Sequence, residues 1–183
     1  MATCNTLNLL PLDGACSRSI GGIKRLLIAK RDSVTVGGTK IEDTESYEEI
    51  TSITLASGEK FYEWTFRPNT ASYTSTFSGD NAIGNTSVTT EVSLQFSKAE
   101  TSKRLAIISA INANSVVILQ DMFGQWVYLG VDNPVYITAG TMQSGTASTD
   151  LNGFQLTFTD TAMDFPPFVS NTVDMADLLE GAV

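Results

Sequence analysis

The segment Ser-Val-Thr-Thr-Glu-Val-Ser-Leu-Gln-Phe-Ser, residues 87–97, alternates between two kinds of side chain without a break. From Val88 onward, every second position is apolar or Thr. The intervening polar positions are Thr89, Glu91, Ser93 and Gln95. Because successive side chains of a β-strand point to opposite faces, this pattern predicts a strand with one buried and one polar face.

A helix is predicted directly after this strand. Ser97-Lys98-Ala99-Glu100 matches a capping box, in which the Ser hydroxyl and the Glu carboxylate satisfy backbone amides of the first turn. The helix is expected over residues 98–113, and its apolar stripe is expected to comprise Leu105, Ile107, Ile108 and Ile111.

Elsewhere the chain alternates short apolar runs with turn residues. Strands are predicted at residues 23–30, 50–55, 60–67, 71–78, 115–120, 125–131, 135–142 and 154–159. Residues 31–50 are expected to form either a long hairpin arm or a functional loop. Ser57-Gly58 is expected to join the second and third of these as a hairpin, and Asn152-Gly153 to form a hairpin turn before the last.

The predicted fold is mainly β, a single domain over residues 1–183. We expect a β-sandwich or partly closed barrel of about eight strands with one flanking helix at 98–113 and extended terminal arms. Residues 1–21 form the N-terminal arm, 22–160 the β core with its helix, and 161–183 an acidic C-terminal tail. The Phe165-Pro166-Pro167-Phe168 segment is expected to dock on a protein surface, either of this chain or of a neighbouring subunit.

Charge is distributed unevenly along the chain. The first forty residues carry six Lys or Arg against two Asp, whereas eight Asp or Glu and no Lys or Arg follow Arg104. Opposite charges at the two ends favour head-to-tail contacts between copies. The net charge of −9 disfavours stable binding to nucleic acid, which needs a concentrated basic surface.

The composition argues against catalysis. The chain has no His, and its two Cys residues, Cys4 and Cys16, lie in the N-terminal arm without a partner base. Catalytic, metal-binding and cofactor-binding residues are therefore not expected, and the protein is not expected to be an enzyme. Four acids on or beside strands could serve a glycosidase, but their spacing singles out no pair: Glu59, Glu63, Glu91 and Asp121.

The chain contains no run of about 20 apolar residues and no recognisable leader, so synthesis in the cytoplasm without membrane insertion is expected.

Three aromatic residues, Tyr62, Trp64 and Tyr73, could form a platform for stacking sugars, or could instead belong to the core or to a subunit interface. A glycan-binding β-sandwich is therefore an alternative hypothesis.

The order of these elements resembles the major tail tube proteins of long-tailed bacteriophages and, more broadly, related tail ring subunits. The likeness covers residues 20–160 and lies in SVTTEVSLQFS, KAETSKRLAIISAINA, SVVILQDMFGQWVYLGV and SGTASTDLNGFQLTFT. It implies hexameric rings that stack into a tube in the virion, assembled in the host cytoplasm. The implied partners are other copies of the chain and other tail proteins, with the genome passing through as unbound cargo.

The resemblance also implies roles for particular segments. The lumen-facing residues would be Thr89, Glu91, Ser93 and Gln95. A loop over residues 31–50 would reach the adjacent ring through Gly37, Gly38, Glu42, Asp43, Glu45, Glu48 and Glu49. The terminal arms would clamp neighbouring subunits through Arg18, Lys24, Arg25, Phe165, Phe168, Asp174 and Asp177. A head–tail adaptor or terminator ring, present as one layer, is the alternative within this class.

Overall fold

The mainly β prediction is confirmed. The computed structural model describes residues 21–42, 46–80 and 85–180. Their strands are β1 (Ile23–Lys30), β2 (Val34–Lys40), β3 (Tyr47–Leu55), β4 (Tyr62–Trp64), β5 (Ala71–Asp80), β6 (Asn85–Ser97), β7 (Ser115–Asp121), β8 (Trp126–Leu129), β9 (Tyr136–Gln143), β10 (Gly153–Ala162) and β11 (Phe168–Val169). Their helices are α1 (Thr101–Ile111) and α2 (Met175–Glu180).

These strands form two sheets. The four-stranded sheet has the order β5-β6-β10-β9, with every neighbouring pair antiparallel, and the seven-stranded sheet has the order β2-β3-β11-β8-β7-β1-β4. The facing sides of the two sheets enclose a core built from β1, β6, β7, β8 and β10. The architecture is a β-sandwich, and the described strands close no barrel.

A second core lies on the opposite face of the seven-stranded sheet. In β1, Leu26 and Ile28 point into the first core, whereas Leu27 and Ala29 point into the second. A single 3₁₀ turn, Arg31–Ser33, joins β1 to β2, although these strands are far apart in the sheet order. The sheet therefore curls until β2 and β3 lie over its second face, where they contribute Val34, Val36, Ile50, Ile53 and Leu55.

Strand β6 has the predicted alternation. Val88, Thr90, Val92, Leu94 and Phe96 are buried, whereas the alternate residues Thr89, Glu91, Ser93 and Gln95 are exposed or half-buried. The strand pairs on both sides, with β5 and with β10, and its register is continuous along both ladders. The pattern was informative because one face of this strand meets the core and the other is covered by no other described element.

The predicted helix is shorter and differently oriented. It starts at Thr101 and ends at Ile111, because Lys98 adopts a left-handed backbone (φ 67°) that a helix cannot contain. The capping box is wrong: the N-cap is Glu100, without a side-chain cap, and its carboxylate pairs with Lys98 and Lys103. Of the predicted apolar stripe only Ile107 is buried.

Two predicted connections have different outcomes. Residues 31–50, expected as either a long hairpin arm or a loop, are largely a hairpin of β2 and β3, so the hairpin alternative is confirmed. The hairpin predicted at Ser57-Gly58 is wrong. Ser57-Gly58 does form a turn, but β3 and β4 do not pair; β3 joins β2 and β11, whereas β4 joins β1. The apolar pattern of each strand was correct, but pairing depends on residues far away in the sequence.

The last hairpin turns earlier than expected. Gly153 is the first residue of β10 and not part of the turn, and a Cβ there would collide with the carbonyl of Phe96. The loop is instead fixed by Asp150, whose carboxylate accepts hydrogen bonds from the backbone amides of Thr146 (2.9 Å) and Ala147 (2.8 Å). Glycine is needed here for close strand approach.

The C-terminal segment packs on its own chain. β11 lies between β3, which it pairs in parallel, and β8, which it pairs antiparallel. Val169, Met175 and Leu178 are buried in the second core, and the Leu178 carbonyl accepts a hydrogen bond from the amide of Phe61. Residues 165–168 were predicted to dock; within this chain they do so only through the backbone of Pro167 and Phe168, whereas the Phe165 and Phe168 side chains stay exposed.

Two Leu-to-Ala substitutions test this packing. Leu178→Ala should lower the free energy of unfolding by about 2–5 kcal/mol, because a buried side chain is lost and a cavity remains. Leu105→Ala is the matched control: this side chain is 55% exposed, so the loss should stay within about 0.5 kcal/mol. Urea unfolding of monomeric protein measures both; equal losses would contradict the packing described for α2.

Candidate self-association interface

The outer face of the four-stranded sheet is polar and nearly uncharged. The predicted residues Thr89, Glu91, Ser93 and Gln95 all lie on it, as the alternation required. The register places further Ser, Thr and Gln residues beside them: Ser72, Thr74, Thr76, Gln155, Thr157, Thr159 and Thr161. Sequence reasoning missed this second set because it requires the pairing of β6 with β5 and β10.

Both edges of this sheet are open within the described residues. β5 forms one edge and β9 the other, and each pairs on one side only. Residues 71–79 and 136–143 contain no charged residue and no Pro. Proteins usually protect exposed edges with charges, Pro, bulges or short strands, because the unpaired backbone groups of an unprotected (bare) edge can pair with a strand of another chain. Apart from Asp80 at the end of β5 and one bulge in the β9–β10 ladder, these edges lack such protection.

The edges of the seven-stranded sheet are different. β4 has only three residues, among them Glu63, and β2 is interrupted by two irregularities in its ladder with β3. Both features discourage pairing with another chain. Unprotected edges are therefore a property of the four-stranded sheet alone among the described strands.

Helix α1 exposes a large apolar surface beside one of these edges. Ile107 and Ala110 face the core, whereas Leu105, Ile108 and Ile111 are 55%, 39% and 50% exposed. Grooves flank the helix, one of about 270 Å³ against β9 and one of about 390 Å³ against β1 and β4. An apolar helix face bordered by grooves is typical of a protein–protein contact.

The residues predicted for an inter-ring loop lie in the β2–β3 hairpin. Gly37 and Gly38 belong to β2, Glu48 and Glu49 belong to β3 and are exposed, and Glu42 follows β2. Asp43 and Glu45 lie outside the described residues. The β2–β3 pairing explains why position 38 is glycine, because a Cβ there would collide with the Glu49 carbonyl.

The residues predicted to clamp neighbours do not form one group. Arg18 lies outside the described residues, and Lys24 is exposed at a bulge of β1. Arg25 already has partners within the chain. Its guanidinium donates a hydrogen bond to Glu63 Oε1 at 2.6 Å, and its Cζ lies 5.4 Å from the centroid of the Trp126 ring. Asp174 accepts a hydrogen bond from the amide of Ala176 at the start of α2. Its side chain is exposed, as are those of Phe165, Phe168 and Asp177.

The other candidate acids and aromatic residues are also accounted for. Glu63 pairs with Arg25, whose hydrogen bond lowers the pKa of this carboxyl, and Glu59 lies 3.8 Å from the Lys30 ammonium. Trp64 packs edge-on against Phe96 and Phe158 in the core. Tyr73 is half-buried, so only Tyr62 of the three aromatic residues is fully exposed. An exposed three-ring platform is therefore not present.

Asp160 is a buried acid at one end of the first core. Its side chain is 3% exposed; Oδ2 accepts from the amide of Gly130 at 3.3 Å, and Oδ1 has no partner. Burial raises the pKa of Asp160, while the Gly130 amide opposes the shift. It lines a cavity of about 20 Å³ with Asp132 and Asp164, but those carboxylates accept hydrogen bonds from the Met163 amide and the Ser46 hydroxyl.

Replacing this acid by its neutral isostere should stabilise the fold. A raised pKa in the folded state means that the unfolded chain ionises first as pH rises, so stability falls above about pH 4. Asp160→Asn should therefore raise the melting temperature at pH 7, and the gain should shrink towards pH 4. The control is Asp150→Asn, at which the Ala147 and Thr146 hydrogen bonds lower the pKa, so its effect at pH 7 should have the opposite sign. A gain for Asp160→Asn that is constant with pH would contradict this account.

No family model, curated protein or solved structure matches this chain. None of the helices in the described residues is long and apolar enough to cross a membrane. The same residues bring together no group of three or more acids or Cys able to hold a metal ion. The features that distinguish this chain are the two bare edges and the polar outer face of its four-stranded sheet.

Proposed function

We propose that this chain is a structural virion protein whose copies join edge to edge into rings that stack as the tail tube of a long-tailed bacteriophage. The observation that carries the proposal is the four-stranded sheet, with two unprotected edges and an outer face free of cations. Bare edges of this length are avoided in monomeric proteins because they recruit other strands.

The two edges are compatible with each other. Neighbouring strands in this sheet alternate in direction, so β5 and β9 run in opposite senses. When β5 of one copy lies beside β9 of the next, the junction is antiparallel, like every other pair in the sheet. Such a contact is heterologous, because it uses different surfaces on the two copies, and repeated contacts of this kind close into a ring.

A ring of this kind would have a wide lumen. With six copies, as the family resemblance implies, strands spaced about 4.8 Å apart and tilted by about 40° give a barrel roughly 50 Å across at the backbone. After allowance for side chains, this is wide enough for a DNA duplex. The outer faces of the four-stranded sheets would line the passage, and the seven-stranded sheets would form the outside of the tube.

The chemistry of that lining suits passage rather than binding. Protein–DNA affinity depends mainly on Lys and Arg contacts to phosphates. The lining would consist mainly of Ser, Thr and Gln side chains, with Tyr136 and Ala139 on β9. Glu91 is the acid of β6, and it repels phosphate. DNA would meet hydrogen-bonding groups but no fixed cation, and could slide.

A single ring, as in a head–tail adaptor or terminator, is the second candidate. It uses the same edge-to-edge junction but lacks complementary top and bottom faces. A glycan-binding module is less well supported, because Trp64 and Tyr73 pack against the core and Trp126 is 8% exposed.

Electron microscopy of the purified protein tests the proposal. We expect rings and, at high concentration, long tubes; discrete rings alone would favour the adaptor. Thr141→Lys places a charge on the edge strand β9 and should reduce assembly sharply, because natural proteins use edge lysines to block pairing. Thr35→Lys, a matched change on the edge of the other sheet, should leave ring formation intact. Wild-type protein that stays monomeric at high concentration would refute the proposal.

A further inference from the structure

We propose that Phe77 of one copy packs into the groove between α1 and β9 of the next copy. The inference rests on the proposed function, because it requires β5 and β9 of neighbouring copies to pair. The occupant of the groove is therefore a second copy of this chain, and the contact has a defined register.

Phe77 occupies an inner-face position but lacks a partner there. It lies opposite Val88, which is 1% exposed, so its side chain leaves the strand on the core side. Phe77 itself is 56% exposed, so the described residues leave more than half of its surface uncovered. Its ring lies along its own strand, 2.9 Å from the position a Cβ would take at Gly79.

The opposite edge of the same sheet has a matching apolar surface. The groove of about 270 Å³ is lined by Ile107 and Ile111 of α1 and by inner-face residues of β9 and β10. Its rim is exposed, with Ile111 at 50% and Met142 at 64%. Both edges therefore leave apolar surface open on the inner face, and a copy seated on the edge would cover both.

The two edge strands are offset along the sheet. Across the four strands, Tyr73 is level with Val92, Phe158 and Ile137, whereas Phe77 is level with Val88 and Ala162, beyond the start of β9. A neighbour displaced by the Tyr73–Phe77 spacing therefore brings its Phe77 opposite Ile137. Closed sheets need such a stagger, because tilted strands cannot meet in flat register.

This displacement also matches the side chains. An even shift keeps inner-face residues on the inner face. The displacement by the Tyr73–Phe77 spacing places Tyr73 of the neighbour opposite Met142, its Ser75 opposite Gly140 and its Phe77 opposite Ile137. Aromatic side chains thus lie across from aliphatic ones, the cross-strand pairing that stabilises sheets.

The nearest alternative registers are less favourable. A shift longer by two residues leaves Gly79 opposite Ile137 and Phe77 opposite Gly140, so Ile137 stays uncovered. A shift shorter by two residues leaves Phe77 beyond the end of the groove.

Assembly measurements test the contribution of Phe77. Phe77→Ala should raise the concentration needed for ring formation by about tenfold or more, because the buried phenyl ring is lost at every junction. Phe123→Ala is the matched control, since Phe123 is 64% exposed in the β7–β8 turn and belongs to neither edge strand of the four-stranded sheet, and it should change assembly less than about twofold. Both variants should unfold like wild type as monomers.

Cysteine cross-linking tests the register. In a background with Cys4→Ser and Cys16→Ser, Phe77→Cys with Ile137→Cys should form disulfides between copies, because directly opposite residues of antiparallel strands have suitable Cα separations. Phe77→Cys with Gly140→Cys should link far less. Linkage of the Gly140 pair alone would overturn the assigned register.

The outcomes separate this inference from the proposed function. Rings that form equally well with Phe77→Ala, and link through neither pair, would overturn the Phe77 contact and leave the tube proposal standing. In a separate Phe77→Cys variant that keeps Cys4 and Cys16, a disulfide to either of them would instead identify residues 1–20 as the occupant of this edge and overturn the inference. Wild-type protein without rings would overturn both proposals.

Discussion

The burial of β1 and β7 on both faces is the constraint on which the rest of the structure depends. Along β7, Val116, Val117, Ile118 and Leu119 are each at most 1% exposed, and they point alternately into two cores. Strands of this kind need a covering layer on each side. The four-stranded sheet covers one face, and the curled β2–β3 hairpin with the C-terminal segment covers the other.

The parts of the fold that sequence could predict are those fixed locally. The alternation in β6 and the apolar run of β1 each identify a strand, and β1 was located at both ends. The polar face of β6 was predicted for the same reason, which gave four of the eleven residues named on the outer face of the four-stranded sheet. The wide polar surface was not predictable, because it arises only when β5 and β10 align their Ser and Thr residues beside Glu91.

The remaining errors come from tertiary context. Leu105, Ile108 and Ile111 resemble a core-facing stripe, but only Ile107 and Ala110 of α1 are buried against the sandwich. The Asn152-Gly153 pair resembles a turn, yet Gly153 is needed inside β10 where Phe96 approaches closely. In each case a strong local signal was outweighed by a neighbour distant in sequence. Open edges are likewise invisible before the strand order is known.

The placement of β11 has a consequence for how the molecule folds. Within the described strands, the β2–β3 hairpin is joined to the rest of its sheet only through Phe168 and Val169, more than a hundred residues downstream. Contacts of such long range slow folding, since the entropy of closing a large loop is lost before the contact forms. The sheet pairing of the early hairpin is therefore completed only after these residues have been synthesised. Slow folding of this kind leaves time for chaperones to act on the newly made chain.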